Sequence, residues 1–108
     1  NILQYLFDRL KIREIDANRV YASEMLAILL QSSKENQAKV GEMDGIDMLL
    51  KLVAPYKRRD PTGGEEIELM ENLFDALCSC LLVPANQNLF HNAEGLELMI
   101  IIIKEKKA

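Results

Sequence analysis

NQAKVGEMDGIDMLLKLV, residues 36–53, returns fifty positions later as NQNLFHNAEGLELMIIII, residues 86–103. Asn36-Gln37 recurs as Asn86-Gln87, Val40 falls on Phe90, and Asp44-Gly45 falls on Glu94-Gly95. Ile46, Leu49, Leu50 and Val53 fall on Leu96, Met99, Ile100 and Ile103, with Asp47 on Glu97 between them. Apolar lands on apolar, acid on acid and glycine on glycine, which is the signature of a repeat architecture. At a spacing of 51 the preceding segments align too: Ser23 with Phe74, Leu26 with Leu77, Ala27 with Cys78 and Leu30 with Leu81. The change of register from 51 to 50 is a single-residue insertion in the connecting turn.

Working outward, every segment has helical periodicity and none alternates with a period of two, so the expected fold class is all-α. Ile2, Leu3, Leu6, Phe7 and Leu10 place a helix over Ile2–Ile12. Asp16 caps the next, which runs to Gln31 with Ala22, Met25, Leu26, Leu29 and Leu30 as its stripe. Val20, Ala27 and Ile28 make its other side apolar, as for a helix between neighbours. Ser32 and Glu35 fit a capping box for a short helix to Gly41, and a helix through Ile46, Leu49, Leu50 and Val53 ends at Pro55. Residues 55–64, PYKRRDPTGG, are the clear loop. Thr62 and Glu65 form a second capping box for a long helix to Val83 with a Met70, Leu73, Phe74, Leu77 and Leu81 stripe. Pro84 and Asn86 open a last pair of helices broken at Gly95.

Short helix, glycine break, medium helix, loop and long helix is the layout of an armadillo repeat, an α-α superhelix wound as a right-handed solenoid. About two repeats' worth is expected as one segment of an array. Residues 1–31 hold the last two helices of one repeat, 32–83 a full repeat and 84–108 the first two helices of the next. The glycines are expected to let two helices meet at a sharp angle. Neither end carries a polar cap: Lys104, Lys106 and Lys107 suit a helix C-terminus but do not cover an apolar face. With Asn1 in place of an initiator Met, the expectation is the middle of a longer array.

The composition excludes several function classes. Of 108 residues, 49% are hydrophobic and 28% charged, a globular balance. The run Leu98–Ile103 falls far short of the ~20 apolar residues that span a bilayer. A net charge of −4 argues against direct binding to DNA or to an anionic membrane surface. Cys78 and Cys80, with His91, do not make a metal site: on a helix the two thiols point about 200° apart, and no second cysteine pair exists. They read as structural thiols. His91, the only histidine, has no dyad partner, and no glycine-rich loop, nucleophile elbow or zinc motif is present, so no enzymatic role, cofactor or metal is expected. Lys57, Arg58 and Arg59 form the one basic triplet, read as a solvated loop rather than a phosphate contact.

Glu68, Glu71 and Asp75 recur on the long helix opposite its apolar stripe, with Asn72 and Ser79 on the same side. In armadillo repeats the third helix lines the concave groove, so these carboxylates are the candidate partner-binding residues, set against the plainer reading of a solvated face. Groove helices that hold basic peptides usually present Trp and Asn on successive turns. Here Asp75 and Glu24 stand at the Trp position, and Ser79 and Ile28 at the Asn position. The ladder is absent, which counts against an importin-like cargo adaptor for nuclear transport. A helical-repeat RNA binder would need stacking aromatics or arginine where Val20, Glu24, Glu71 and Asp75 stand.

DANRVYASEMLAILLQSSKEN (16–36), GIDMLLKLV (45–53), MENLFDALCSCL (70–81) and GLELM (95–99) resemble the beta-catenin-like armadillo family, and ENLFD followed by LCSCL is not generic armadillo consensus. The resemblance runs over essentially the whole chain. It implies a nuclear, spliceosome-associated, non-enzymatic scaffold for pre-mRNA splicing. It also implies partners carrying basic, localisation-signal-like segments, among them a splicing factor resembling cell-division-cycle protein five and, for the vertebrate member, the activation-induced cytidine deaminase. No family motif assigns binding residues within this segment.

Because burial is worth ~25 cal/mol per Å², the isolated 108-residue segment should self-associate through its terminal helices. Sedimentation at micromolar concentration tests this; a clean, stable monomer would count against an open array.

Overall fold

In a computed structural model, described over residues 2–107 with side chains over 2–104, the chain is helical throughout and the described residues contain no strand. The elements are α1 (Ile2–Lys11), α2 (Ala17–Gln31), α3 (Lys34–Glu42), α4 (Gly45–Val53), a 3-10 turn (Ala54–Lys57), α5 (Gly63–Cys80), α6 (Pro84–Asn92) and α7 (Gly95–Lys107). The side chains of Lys106 and Lys107, expected to flank the last helix electrostatically, lie outside the described residues.

Asp16 caps α2 as expected, its carboxylate accepting from the Arg19 N–H at 2.9 Å. The next cap is one residue later than the capping box suggested. Ser33, not Ser32, accepts from the Asn36 N–H at 3.1 Å. The α-helix α4 does end beside Pro55, at Val53, and the chain tightens into the 3-10 turn, whose first turn accommodates the proline. The loop therefore shrinks to residues 58–62. Thr62 occupies the cap position of α5 without a side-chain cap bond, and α5 stops at Cys80 rather than Val83.

The Asn-Gln pairs explain the two turns that follow the long helices. Asn36 Nδ2 donates to the Leu29 carbonyl at 3.2 Å, and Gln37 Nε2 to the Leu30 carbonyl at 2.7 Å. Asn86 Nδ2 donates to the Cys80 carbonyl at 3.0 Å, and Gln87 Nε2 to the Leu81 carbonyl at 2.8 Å. Cys80 and Leu81 stand 51 residues beyond Leu29 and Leu30, while the amides stand 50 apart. Each pair thus satisfies the same two carbonyls that a helix end leaves without a partner. Asn86 also donates to the Gln37 carbonyl at 2.8 Å, tying α6 to α3.

The glycines sit at the two corners where helices meet, and they serve them by close approach rather than by φ. The left-handed residues at the two α-α corners are Asp44 (φ 60°) and Glu94 (φ 59°), each one position before the glycine. Gly45 and Gly95 are required by close approach instead. A Cβ on Gly45 would stand 2.4 Å from Val40 Cγ1 and 2.7 Å from the Val40 carbonyl oxygen. A Cβ on Gly95 would stand 2.4 Å from the Phe90 ring, and Phe90 is the fifty-residue counterpart of Val40.

α2 and α5 make the most extensive contact in the molecule, packing side by side. Leu26, Leu30, Leu73 and Leu77 are among the core residues that they bury. The expected stripe of α5 is rotated: Met70, Phe74 and Leu81 are only partly buried, and Glu66, Leu69, Ala76 and Cys80 join Leu73 and Leu77 inside. On α2, Met25 is exposed and Leu29 half-buried, while Arg19 and Ser23 are buried. A helix apolar on several sides leaves its buried face to be chosen by its neighbours. The contrast between α4 and α7 has the same origin. Ile46, Leu49, Leu50 and Val53 are buried where α5 packs on α4, whereas Leu96, Ile100 and Ile103 are exposed on α7.

Gly45→Ala should destabilise the fold by about 1–3 kcal/mol, the usual cost of forcing extra volume into a packed site. Gly64→Ala, where a Cβ meets nothing within 4 Å, should be neutral or slightly stabilising. Urea unfolding of the two variants against the parent checks both; equal midpoints would refute the close-approach argument.

Candidate functional site

Between α2 and α5 runs a cleft of about 440 Å³, lined among others by Glu24, Ile28, Asn72, Asp75, Cys78 and Ser79. Its wall is held by a hydrogen-bond chain. Ser23, fully buried, donates to the Val20 carbonyl at 2.7 Å and accepts from Asn72 Nδ2 at 3.1 Å. That bond fixes α5 against α2 at the level of the acids. The 51-residue register sets Glu24 and Asp75 on equivalent turns, so one carboxylate comes from each helix.

All three acids singled out on α5 are exposed on the side facing away from its buried face. The cleft takes in Asp75, while Glu68 and Glu71 stand outside its lining. Apolar surface accompanies the charge: Ile28 lines the cleft at 59% exposure, and Tyr21 is 66% exposed on the same helix. Cys78 opens to the cleft and Cys80 is buried, so only one of the two thiols is structural in the sense expected. Burial pushes the Cys80 thiol up to about 12, which keeps it protonated and inert. His91 is exposed on α6. Among the described residues, no group of three or more His, Cys, Asp or Glu is placed to hold a metal ion. No helix there is long and apolar enough to cross a membrane.

A larger cleft of about 520 Å³ lies between α1 and α4, with Lys11, Arg13 and Lys51 facing Asp44 and Asp47. Its charges are of both signs, so it presents no consistent field to a ligand. The α2–α5 cleft has carboxylates and no cationic side chain in its lining, which is what a cationic partner requires.

The basic triplet is not simply a solvated loop. Arg59 reaches Glu66 with both terminal nitrogens, at 3.0 Å to Oε1 and 2.5 Å to Oε2, and its guanidinium lies over the Tyr56 ring, 5.3 Å from the centroid. Glu66 is 1% exposed and also accepts from the Tyr56 hydroxyl at 2.9 Å, the Thr62 N–H at 2.7 Å and the Thr62 hydroxyl at 3.1 Å. The Arg59 fork, with help from the Thr62 and Tyr56 donors, holds the Glu66 carboxyl down at about 2. Burial, with the bond to Glu66, pushes Tyr56 up to about 12. The capping box pairs Thr62 with Glu65, but the acid that answers Thr62 is Glu66, one residue on. The RRDPT stretch beside GGEE was the available signal, since a basic run and an acidic helix start can fold back on each other.

The recurrent Asn-Gln bonds, the twin left-handed corners and the side-by-side long helices set the ground for comparison with known proteins. A family model described as "Catenin-beta-like, Arm-motif containing nuclear" matches residues 1–108. The chain belongs to this catenin-beta-like family. Among catenin-beta-like relatives, beta-catenin-like protein 1 of Rattus norvegicus is 52% identical over 98% of the chain, and that of Homo sapiens 51% over 98%. The Schizosaccharomyces pombe homolog is 45% identical over 97%. The chain spans 19% of the length of each of these relatives. It has the all-α, armadillo-type fold anticipated from its periodicity, in a nuclear, Arm-motif family.

Because the folded-state value of Glu66 lies below its ordinary 4.5, its stabilising contribution is full above about pH 4.5 and is lost as pH falls towards about 2. Glu66→Gln should lower stability at neutral pH and flatten the acid limb of the stability profile. Thermal melting of both proteins between pH 7 and 2 reads this out; parallel profiles would show that Glu66 carries no linkage.

Proposed function

We propose that this chain is part of a non-enzymatic protein–protein interaction scaffold in a nuclear protein associated with the spliceosome, and that the α2–α5 groove receives basic, localisation-signal-like segments of splicing factors. The observation that carries the reading is the groove itself: Glu24 and Asp75 face it from two helices, Ile28 stands beside them, and no cation lines it. Glu68 and Glu71 continue the negative face along α5. In this reading residues 1–31, 32–83 and 84–108 are the end of one armadillo repeat, a full repeat and the start of another. The long helices α2 and α5 are then consecutive third helices, which is why they lie side by side.

Exposed ion pairs bring only about 0.2–1 kcal/mol each. The carboxylates therefore steer and orient a lysine- or arginine-rich segment, and apolar contact on Ile28 and Tyr21 supplies the rest. The importin-like alternative would hold its ligand through Trp and Asn side chains. The equivalent positions here carry Glu24, Asp75, Ile28 and Ser79, so charge attraction has to do more and the binding has to depend more on salt.

Titrating a basic splicing-factor segment against the full-length protein at low and high salt tests the proposal. The Glu68/Glu71/Asp75→Gln triple variant should bind on the order of tenfold more weakly at low salt and show a shallower salt dependence. Equal affinity and an unchanged salt slope would reduce the three acids to a solvated face.

A further inference from the structure

The lining of the α2–α5 cleft falls into pairs 51 residues apart: Glu24 with Asp75, Ala27 with Cys78 and Ile28 with Ser79. The two walls therefore run in step, with both carboxylates at one level and the small and apolar side chains about one turn further on. Packed helix axes lie about 8–10 Å apart, so the acids approach the same space from opposite sides. Neither Glu24 nor Asp75 makes a hydrogen bond or an ion pair through its side chain among the described residues, which leaves their oxygens free to accept. Asn72 adds to this bias. Its amide nitrogen donates to Ser23 at 3.1 Å, and the oxygen of the same amide accepts nothing among the described residues. The cleft thus offers strong acceptors beside an apolar ledge made by Ala27 and by Ile28, which is 59% exposed.

We propose that this cleft selects arginine over lysine, so that the basic segment it receives is an arginine-rich one; the inference rests on the reading of the cleft as the partner-binding groove. A guanidinium carries its N–H donors in one rigid plane and donates from two edges. One arginine therefore reaches both walls, giving its fork to one carboxylate and its remaining N–H groups to the other carboxylate or to the Asn72 oxygen. Its flat faces are weakly hydrated and lie against Ile28 with little water to give up. An ammonium is a compact, strongly hydrated point charge. It settles on one carboxylate, leaves the opposite wall unanswered and gains nothing from the apolar ledge. Glu68 and Glu71, outside the lining, attract both cations alike.

The experiment uses the full-length protein and two fluorescein-labelled glycine-serine peptides of equal length, one with arginine and the other with lysine at every second position. Fluorescence anisotropy at physiological ionic strength should show the arginine peptide binding on the order of tenfold more tightly, the difference expected for one further charge-assisted hydrogen bond. The Glu24→Gln/Asp75→Gln variant should bring the two affinities together, and Ile28→Ser should narrow the gap. Glu68→Gln/Glu71→Gln should weaken both peptides and keep their ratio. All five substituted side chains are exposed, so the variants keep the fold. Equal affinities in the parent protein would overturn the arginine preference and leave a groove that binds basic segments. A preference that survives Glu24→Gln/Asp75→Gln would lie elsewhere in the protein and overturn this site. Binding of neither peptide would overturn the preference and the groove reading together.

Discussion

At the ends of α2 and α5, where the helical ladder runs out, an Asn-Gln pair donates to two late carbonyls of each long helix and ties the next short helix to it. Asn36 and Gln37 donate to Leu29 and Leu30, and Asn86 and Gln87 donate to Cys80 and Leu81. Those bonds set the angle at which the chain leaves a long helix and enters the next short one. Everything downstream inherits that angle: the left-handed corners at Asp44 and Glu94, the contact of Gly45 with Val40 and of Gly95 with Phe90, and the path of α4 beneath α5. Asn86 extends the constraint between units through the Gln37 carbonyl, and Gly41 leaves the space for its side chain.

Charge is used in two unlike ways on α5. Glu66, in its first turn, is buried and answered by Arg59, Tyr56 and Thr62, so it acts as a tether for the loop that precedes the helix. A buried carboxylate left without such donors would be strongly destabilising, which makes the tether a fixed part of the fold. Asp75, more than two turns on, is exposed and opposed by Glu24 on α2. Both carboxylates line the same cleft, and no cationic side chain lines it with them. The first acid serves the structure and the second is exposed at the cleft.

The apolar surface follows the same division. Leu26, Leu30, Leu73 and Leu77 hold α2 to α5 and make the groove walls rigid. Leu96, Ile100, Ile101 and Ile103 on α7, and Ile2 and Tyr5 on α1, are exposed.

Positions of helices, the cap at Asp16, the start of α6 at Pro84, the all-α class and the exposed acidic face of α5 were legible in the residue order alone. Each depends on interactions within one or two helical turns, and a period of 3.6 residues records them directly. The repeat was legible too, because equivalent neighbours impose equivalent residues. The choice of Ser33 over Ser32, the rotation of the α5 stripe towards Leu69, Ala76 and Cys80, and the exposure of Met25 were decided by tertiary packing. So were the role of Gly45 against Val40 and the capture of Arg59 by Glu66. On helices that are apolar on several sides, local pattern leaves several faces nearly equal, and only the neighbour that packs there separates them. Likewise a charge in a loop carries no mark of its partner until folding brings the buried acid within reach.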